Sequence, residues 1–80
     1  MTISKAVSLR INELLKEKNV SRYKLSNKMG LSKDTLKSIY AGKTQGVNLK
    51  TLVVIAEGLD MTVSEFLNSE LFSYENLTIE

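Results

Sequence analysis

Two neighbouring segments in the middle of the chain, each opened by a serine and closed by a glycine, constrain the fold more than any other feature. The first extends from Ser21 to Gly30 and the second from Ser32 to Gly42. A serine hydroxyl accepts a hydrogen bond from a free amide in the first turn of a helix, and glycine readily adopts the positive φ at which many helices end. The spacing therefore predicts two short helices, joined by a turn of three or four residues and crossing at a steep angle.

The rest of the chain has the apolar periodicity of helices, and proline is absent. Asn48 and Thr62 stand where they can cap two further helices, and Glu65 completes a capping box with Thr62. The predicted helices cover about residues 4–18, 21–29, 32–41, 49–58 and 62–70, with a polar loop over 43–47. Connections this short predict a compact all-α domain of five helices.

One apolar face of each helix forms the predicted core. On the first helix this face consists of Val7, Ile11, Leu14 and Leu15. The inward residues of the two central helices are Leu25, Met29, Leu36, Ile39 and Tyr40. Those of the last two helices are Leu49, Leu52, Val53, Ala56, Leu59, Val63, Phe66 and Leu67.

The last ten residues form a segment of a different kind. The helices place a domain in residues 1–70, which leaves residues 71–80 as a C-terminal tail. Five of the tail's side chains are large and apolar, more than is usual in a disordered segment. Three arrangements remain open: the tail packs on its own domain, against the first helix, or it forms a self-complementary interface with a second copy, or it is disordered.

The charges are segregated along the chain. Residues 1–50 contain all eleven lysines and arginines against three acidic residues, a net charge of +8, whereas residues 51–80 contain six acidic residues and no basic one. Such segregation is typical of a protein with one face directed at a polyanion.

Two missing residue types exclude most enzyme classes. The chain has no cysteine and no histidine, which rules out disulfides, thiolate sites, histidine-based zinc sites and Ser–His or Cys–His nucleophile pairs. It also lacks calcium-loop, phosphate-loop and dinucleotide motifs, and no apolar run approaches the roughly 18 residues of a membrane span. We therefore expect a cytoplasmic protein that is not an enzyme and holds no metal or other cofactor.

The helix predicted over 32–41 carries a polar stripe opposite its apolar residues. The outward residues are Lys33, Asp34, Lys37, Ser38 and Ala41. They include no large apolar group, so this side of the helix is narrow enough to enter a DNA major groove, which is about 12 Å wide.

Residues 22–41, RYKLSNKMGLSKDTLKSIYA, resemble the helix-turn-helix of Cro-like phage repressors and xenobiotic-response-element regulators. The shared pattern consists of apolar residues at 25, 29, 31, 36 and 39, a small residue at 26 and glycine at 30. Downstream, the segment from Asn48 to Leu67 is similar to that family's fourth and fifth helices, so the likeness covers about residues 4–68. It implies a five-helix, lambda-repressor-like fold and sequence-specific binding of double-stranded DNA, with residues 32–41 as the recognition helix.

By their positions in this pattern, Lys33, Asp34 and Ser38 are implied to face base edges. Lysine suits the acceptors of guanine, and aspartate can accept from the amino group of cytosine. The residues implied to hold phosphates and fix the register are Arg22, Ser32, Thr35 and Lys43. Lys37 points outward and can reach either a base or a phosphate.

Three features depart from the family pattern. Many relatives have glutamine where this chain has Arg22, and relatives often have asparagine at the position of Ala41. Many also pair an arginine on the first helix with a glutamate near the end of the third, where this chain has Leu15 and Tyr40. Since apolar packing can replace a buried ion pair at little cost, we predict direct contact between Leu15 and Tyr40.

The sequence thus favours a small transcriptional regulator, a repressor, that binds operator DNA as a homodimer. The alternative is a protein-interaction module on the same fold, antitoxin-like or an adaptor, whose apolar tail docks on another protein. Polar and basic residues over 32–43 favour DNA, the tail favours a protein partner, and both can hold at once.

Overall fold

The chain folds into a series of short helices, as its caps and its periodicity predict. The computed structural model describes residues 1–43 and 47–78, and within them the chain forms five α-helices and no strand. They are α1 (Ile3–Lys18), α2 (Arg22–Met29), α3 (Lys33–Ala41), α4 (Leu49–Gly58) and α5 (Val63–Leu67), followed by 3-10 turns at Glu70–Phe72 and Tyr74–Asn76. The predicted all-α fold is confirmed. Most of the loop predicted over 43–47 lies outside the described residues.

Local hydrogen bonding sets both ends of the central helices. Each α-helix begins after a residue whose side-chain oxygen accepts a hydrogen bond from the amide three positions further on, and these caps are Thr2, Ser21, Ser32, Asn48 and Thr62. The first three helices end at residues with left-handed backbone, namely Asn19 (φ 56°), Gly30 (φ 63°) and Gly42 (φ 68°). The boundaries predicted from the serines and glycines are therefore confirmed.

The helices enclose one core, in which α3 packs on α1, α2 packs on α4, and α4 packs on α5. Its buried residues are Val7, Ile11, Leu14, Leu15, Leu25, Met29, Leu36, Ile39, Ile55, Ala56, Leu59 and Phe66. Tyr40 is half-buried against this cluster. The proposed direct contact between Leu15 and Tyr40 stays a prediction.

The inward face of α4 differs from the predicted one. Leu49 and Val53 are 66% and 48% exposed, and Ile55 is fully buried. The cause is the close packing of α4 on α2: a Cβ atom at Gly58 would lie 2.8 Å from Leu25 Cδ1. The side of α4 that carries Gly58 lets the two helices approach, and it lies roughly 140° around the helix from Val53. Because the Gly58 side of α4 faces α2, Leu49 and Val53 face solvent.

Helix α5 ends earlier than predicted, at Leu67 instead of residue 70. The Ser69 hydroxyl accepts a hydrogen bond from the amide of Leu71 at 3.2 Å and begins the first 3-10 turn. A local side-chain cap thus competes with continuation of the helix. As a result Leu67 is exposed, where the sequence predicts it to be inward.

Residues 70–78 return to α1. The ring of Phe72 lies 6.0 Å from that of Phe66, and the ammonium group of Met1 donates to the carbonyl of Asn76 at 2.9 Å. The amide of Thr78 in turn donates to the carbonyl of Met1 at 2.6 Å. The described part of the tail thus packs on its own domain, while the domain division at residue 70 stays a prediction.

The capping box of α5 gives the protein a pH-dependent contact. The Glu65 carboxylate accepts a hydrogen bond from the backbone amide of Thr62 at 3.0 Å, and this bond holds the pKa of Glu65 below its ordinary value. A lowered folded-state pKa stabilises the fold at pH values above the unfolded-state pKa, and the contribution is lost as pH falls through the folded-state pKa.

We expect Glu65→Gln to flatten the acid side of a plot of thermal midpoint against pH, because the variant has no carboxylate to protonate there. Circular dichroism melts across the acid range measure this. Glu57→Gln, an exposed change on α4, is the control and should keep the wild-type slope. Equal slopes for Glu65→Gln and the wild type would contradict the assignment.

Candidate nucleic-acid interface

Helix α3 turns one side to the core and the other to solvent. Leu36 and Ile39 are buried in the core, and the helix packs on α1. The structure places Lys33, Asp34, Thr35, Lys37 and Ala41 in exposed positions, and Ser38 is half-buried. The polar stripe is therefore turned to solvent, with Ser38 at its partly covered edge.

The amino end of α3 is held by two paired hydroxyl groups. Ser32 Oγ accepts from the amide of Thr35 at 3.2 Å and donates its proton to Thr35 Oγ1 at 2.8 Å. Since a hydroxyl has one proton, Ser32 has none left to donate, whereas Thr35 keeps its own. Of these two predicted phosphate contacts, Thr35 is the one that can donate a hydrogen bond to an anion.

The carboxyl end of α3 is fixed against α1. The Ser8 hydroxyl donates to the carbonyl of Tyr40 at 2.6 Å, and a Cβ atom at Gly42 would lie 3.2 Å from the Cα of Lys5. The amide of Lys43 donates to the carbonyl of Ser38 at 3.1 Å, which closes the helix. Lys43 therefore lies exposed at the end of α3 opposite Ser32.

Arg22, the first residue of α2, is engaged by two other helices. Its Nη2 donates to Asn12 Oδ1 on α1 at 3.0 Å, and its guanidinium carbon lies 4.8 Å from the centre of the Tyr40 ring on α3. The Tyr40 hydroxyl donates to the carbonyl of Arg22 at 3.3 Å and is bonded to the Ser26 hydroxyl at 2.9 Å. The sequence identifies Arg22 as a phosphate contact but gives no sign of this arrangement.

The lysines on and next to the exposed side of α3 carry unpaired charges. Elsewhere Lys28 pairs with Asp60 at 3.3 Å, and Arg10 pairs with Glu13. Across the described residues, Lys33, Lys37 and Lys43 take part in no ion pair, and neither does Asp34. Three unpaired cations along one exposed surface can attract a polyanion, with Asp34 as the one opposing charge on α3.

Arg10 is a residue whose role sequence reasoning missed. Its side chain is only 11% exposed, and its Nε donates to the carbonyl of Phe66 at 2.8 Å while Nη2 donates to the carbonyl of Glu65 at 3.2 Å. It therefore fastens α5 to α1. The one sequence signal is an arginine one position before Ile11, at the edge of the apolar face of α1.

Other kinds of site are not evident in the part of the chain that the structure describes. Residues 1–43 and 47–78 bring together no group of three or more acidic side chains suited to a metal ion. Over the same ranges, no helix combines the length and apolarity needed to cross a bilayer.

Comparison with known proteins identifies a family pattern in most of the chain. The profile of the Cro/C1-type HTH DNA-binding domain matches residues 10–70. No curated protein sequence matches significantly.

Two solved structures are similar to this fold. The crystal structure of the prophage Lp1 protein 11 superimposes with a TM-score of 0.79 at 19% identity, over 91% of this chain and 97% of that one. An HTH_3 family transcriptional regulator from Vibrio cholerae superimposes with a TM-score of 0.71 at 25% identity, over 85% of this chain. The chain spans 38% of the length of that regulator.

Proposed function

We propose, from the premise that this chain belongs to the Cro/C1-type helix-turn-helix DNA-binding family, that it is a cytoplasmic transcriptional repressor which binds operator DNA as a homodimer. Family membership and the likeness to a transcriptional regulator support DNA binding and gene regulation. The observation that carries the proposal is the exposed polar surface of α3 with its unpaired lysines.

In this proposal α3 enters the major groove and reads base edges. Lys33 donates to guanine O6 or N7, Asp34 accepts from the amino group of cytosine, and Ser38 can do either. Ser38 is half-buried near the end of the helix, so it meets a base only when α3 lies deep in the groove. The base preference that Ser38 contributes therefore depends on how deeply α3 enters the groove.

Contacts at the two ends of α3 would fix the register on the DNA. Thr35 has a free hydroxyl proton at the amino end, and Lys43 brings a charge to the carboxyl end. Ser32 orients Thr35, and Lys37, between the two ends of the helix, reaches a phosphate or a base. The phosphate contacts in this set supply affinity without base preference.

Selection of bound sequences from random duplexes by the purified protein tests this function. We expect a palindrome whose half-sites are centred about 34 Å, or one helical turn, apart, because a two-fold dimer presents two copies of α3. Placing that sequence at a reporter promoter should lower expression when the protein is present. A folded protein that enriches no sequence at low salt would refute DNA reading, and raised expression would refute repression.

Two single substitutions should separate base reading from phosphate contact. We expect Lys33→Ala to lose roughly 1–3 kcal/mol of discrimination at one base pair. Lys43→Ala should instead weaken all sequences alike and reduce the slope of log K against log salt by about 0.9. Binding isotherms on single-base variants of the selected site, at several salt concentrations, measure both. An unchanged base preference in Lys33→Ala would refute the assignment of α3 as the reading helix.

One observation favours a second candidate, a protein-interaction module. Leu49 and Val53 are exposed one turn apart on α4. The described part of the tail, by contrast, lies against its own domain and is less available to a partner. A stable complex with a second protein, formed by a chain that shifts no duplex DNA at low salt, would support this candidate over the first.

A further inference from the structure

We infer that Arg22 is a positioning residue, which holds the amino end of α2 against α3, and that it is not a ligand of a DNA phosphate. The inference rests on the proposed function, because it concerns which groups of the chain contact DNA. Its basis is that the guanidinium group of Arg22 already has two partners, Asn12 and Tyr40, on two other helices.

Tyr40, on α3, forms hydrogen bonds to both α1 and α2. Its carbonyl accepts from Ser8 on α1 at 2.6 Å, and its hydroxyl donates to the carbonyl of Arg22 at 3.3 Å. Because a phenol has a single proton, the hydroxyl of Ser26 must be the donor in the 2.9 Å bond to Tyr40. The guanidinium of Arg22 lies over the face of the Tyr40 ring, at a distance typical of a cation–π contact.

This arrangement is the polar link between α2 and α3. The two helices pack mainly on different neighbours, α2 on α4 and α3 on α1. Among the described residues, the hydrogen bonds between α2 and α3 pass through the Tyr40 hydroxyl. We call Asn12, Arg22, Ser26 and Tyr40 the Arg22 cluster, and it fixes where the amino end of α2 stands relative to the reading helix.

A phosphate contact that turned the guanidinium of Arg22 away from its partners would disturb the cluster. Turning the guanidinium toward DNA breaks the bond to Asn12 and removes the cation from the Tyr40 ring, so part of the gain is offset. Keeping it in place preserves the relative position of two helices that must meet the DNA together. Since phosphate contacts set the register of the whole domain, a small shift of α2 weakens binding without any loss of charge contact.

The salt dependence of binding distinguishes the two roles. We expect Arg22→Ala to weaken binding to the selected operator by about tenfold while leaving the slope of log K against log salt at its wild-type value. Loss of a phosphate ligand would instead reduce the slope by about 0.9, the change expected for the control Lys43→Ala. A reduced slope in Arg22→Ala would overturn the inference.

A double-mutant cycle with Tyr40→Leu adds a second test. If Arg22 acts through the ring of Tyr40, the double variant should bind no more weakly than the weaker single variant. Independent, additive losses would overturn the inference. Urea unfolding of each variant defines the conditions under which it is fully folded, and binding is compared there.

A third measurement requires no DNA. Amide hydrogen exchange of Lys24 and Leu25, in the first turn of α2, should be about tenfold faster in both Arg22→Ala and Tyr40→Leu than in the wild type. Unchanged exchange in either variant would overturn the inference. A wild-type protein that binds no duplex DNA would refute the proposed function, and the exchange rates would still decide the role of Arg22.

Discussion

Phe66→Ala is expected to remove a large part of the protein's free energy of unfolding. Phe66 is fully buried and the largest of the fully buried side chains, its ring meets Phe72, and its carbonyl holds Arg10. Truncation of a buried phenylalanine costs about 3–5 kcal/mol. An 80-residue domain has only about 4–12 kcal/mol of stability in total, at about 0.05–0.15 kcal/mol per residue.

Urea titration followed by helical circular dichroism measures this loss. The control is Leu67→Ala on the same helix, where the side chain is already exposed and the expected change is within about 0.5–1 kcal/mol. Phe66→Leu should lie between the two, since it keeps apolar volume. A cooperative transition of Phe66→Ala that shifts by less than about 1 kcal/mol would show that the core does not depend on this ring.

Reversing both lysines of the α3 surface should have the largest effect on DNA binding. Lys33→Glu with Lys37→Glu replaces two unpaired cations by anions beside Asp34, so the surface would repel phosphates. We expect affinity for the selected operator to fall by at least about thirtyfold at low salt, from two contacts of about 1–3 kcal/mol each. Both positions are exposed, so stability should change little.

The matched control changes the net charge equally at a different place. Lys16→Glu with Lys18→Glu alters two exposed residues in the last turn of α1, a different helix from the one that carries the α3 surface. If only total charge mattered, the two double variants would weaken binding alike. A loss confined to the α3 variant locates the interface, and equal losses would contradict it.

The central part of the fold was predictable from sequence because its determinants are local. Ser32 and Gly42 set the ends of α3 through hydrogen bonds within a few residues, and the spacing of Leu36 and Ile39 decides which side faces the core. The exposed positions of Lys33 and Lys37 follow from the same periodicity. These features require no knowledge of the other helices.

The remaining features depend on contacts between helices. The apolar residues of α4 allow two different inward faces, and the approach of Gly58 to Leu25 selects the one with Ile55 inside. The bonds of Arg10 to the carbonyls of α5 and the arrangement of Arg22 on Tyr40 join residues far apart in the chain. Periodicity describes one helix at a time, so it leaves such pairings undetermined.

The closeness of Gly58 to Leu25 also limits how this sequence can change. Any side chain at position 58 would occupy the space now filled by the tip of Leu25, with Met29 Cγ next nearest at 3.2 Å from the added carbon. Descendants of this sequence that acquire alanine at 58 should therefore carry a smaller residue at 25, so that the summed volume of the pair is conserved. We therefore expect substitutions at positions 25 and 58 to be correlated.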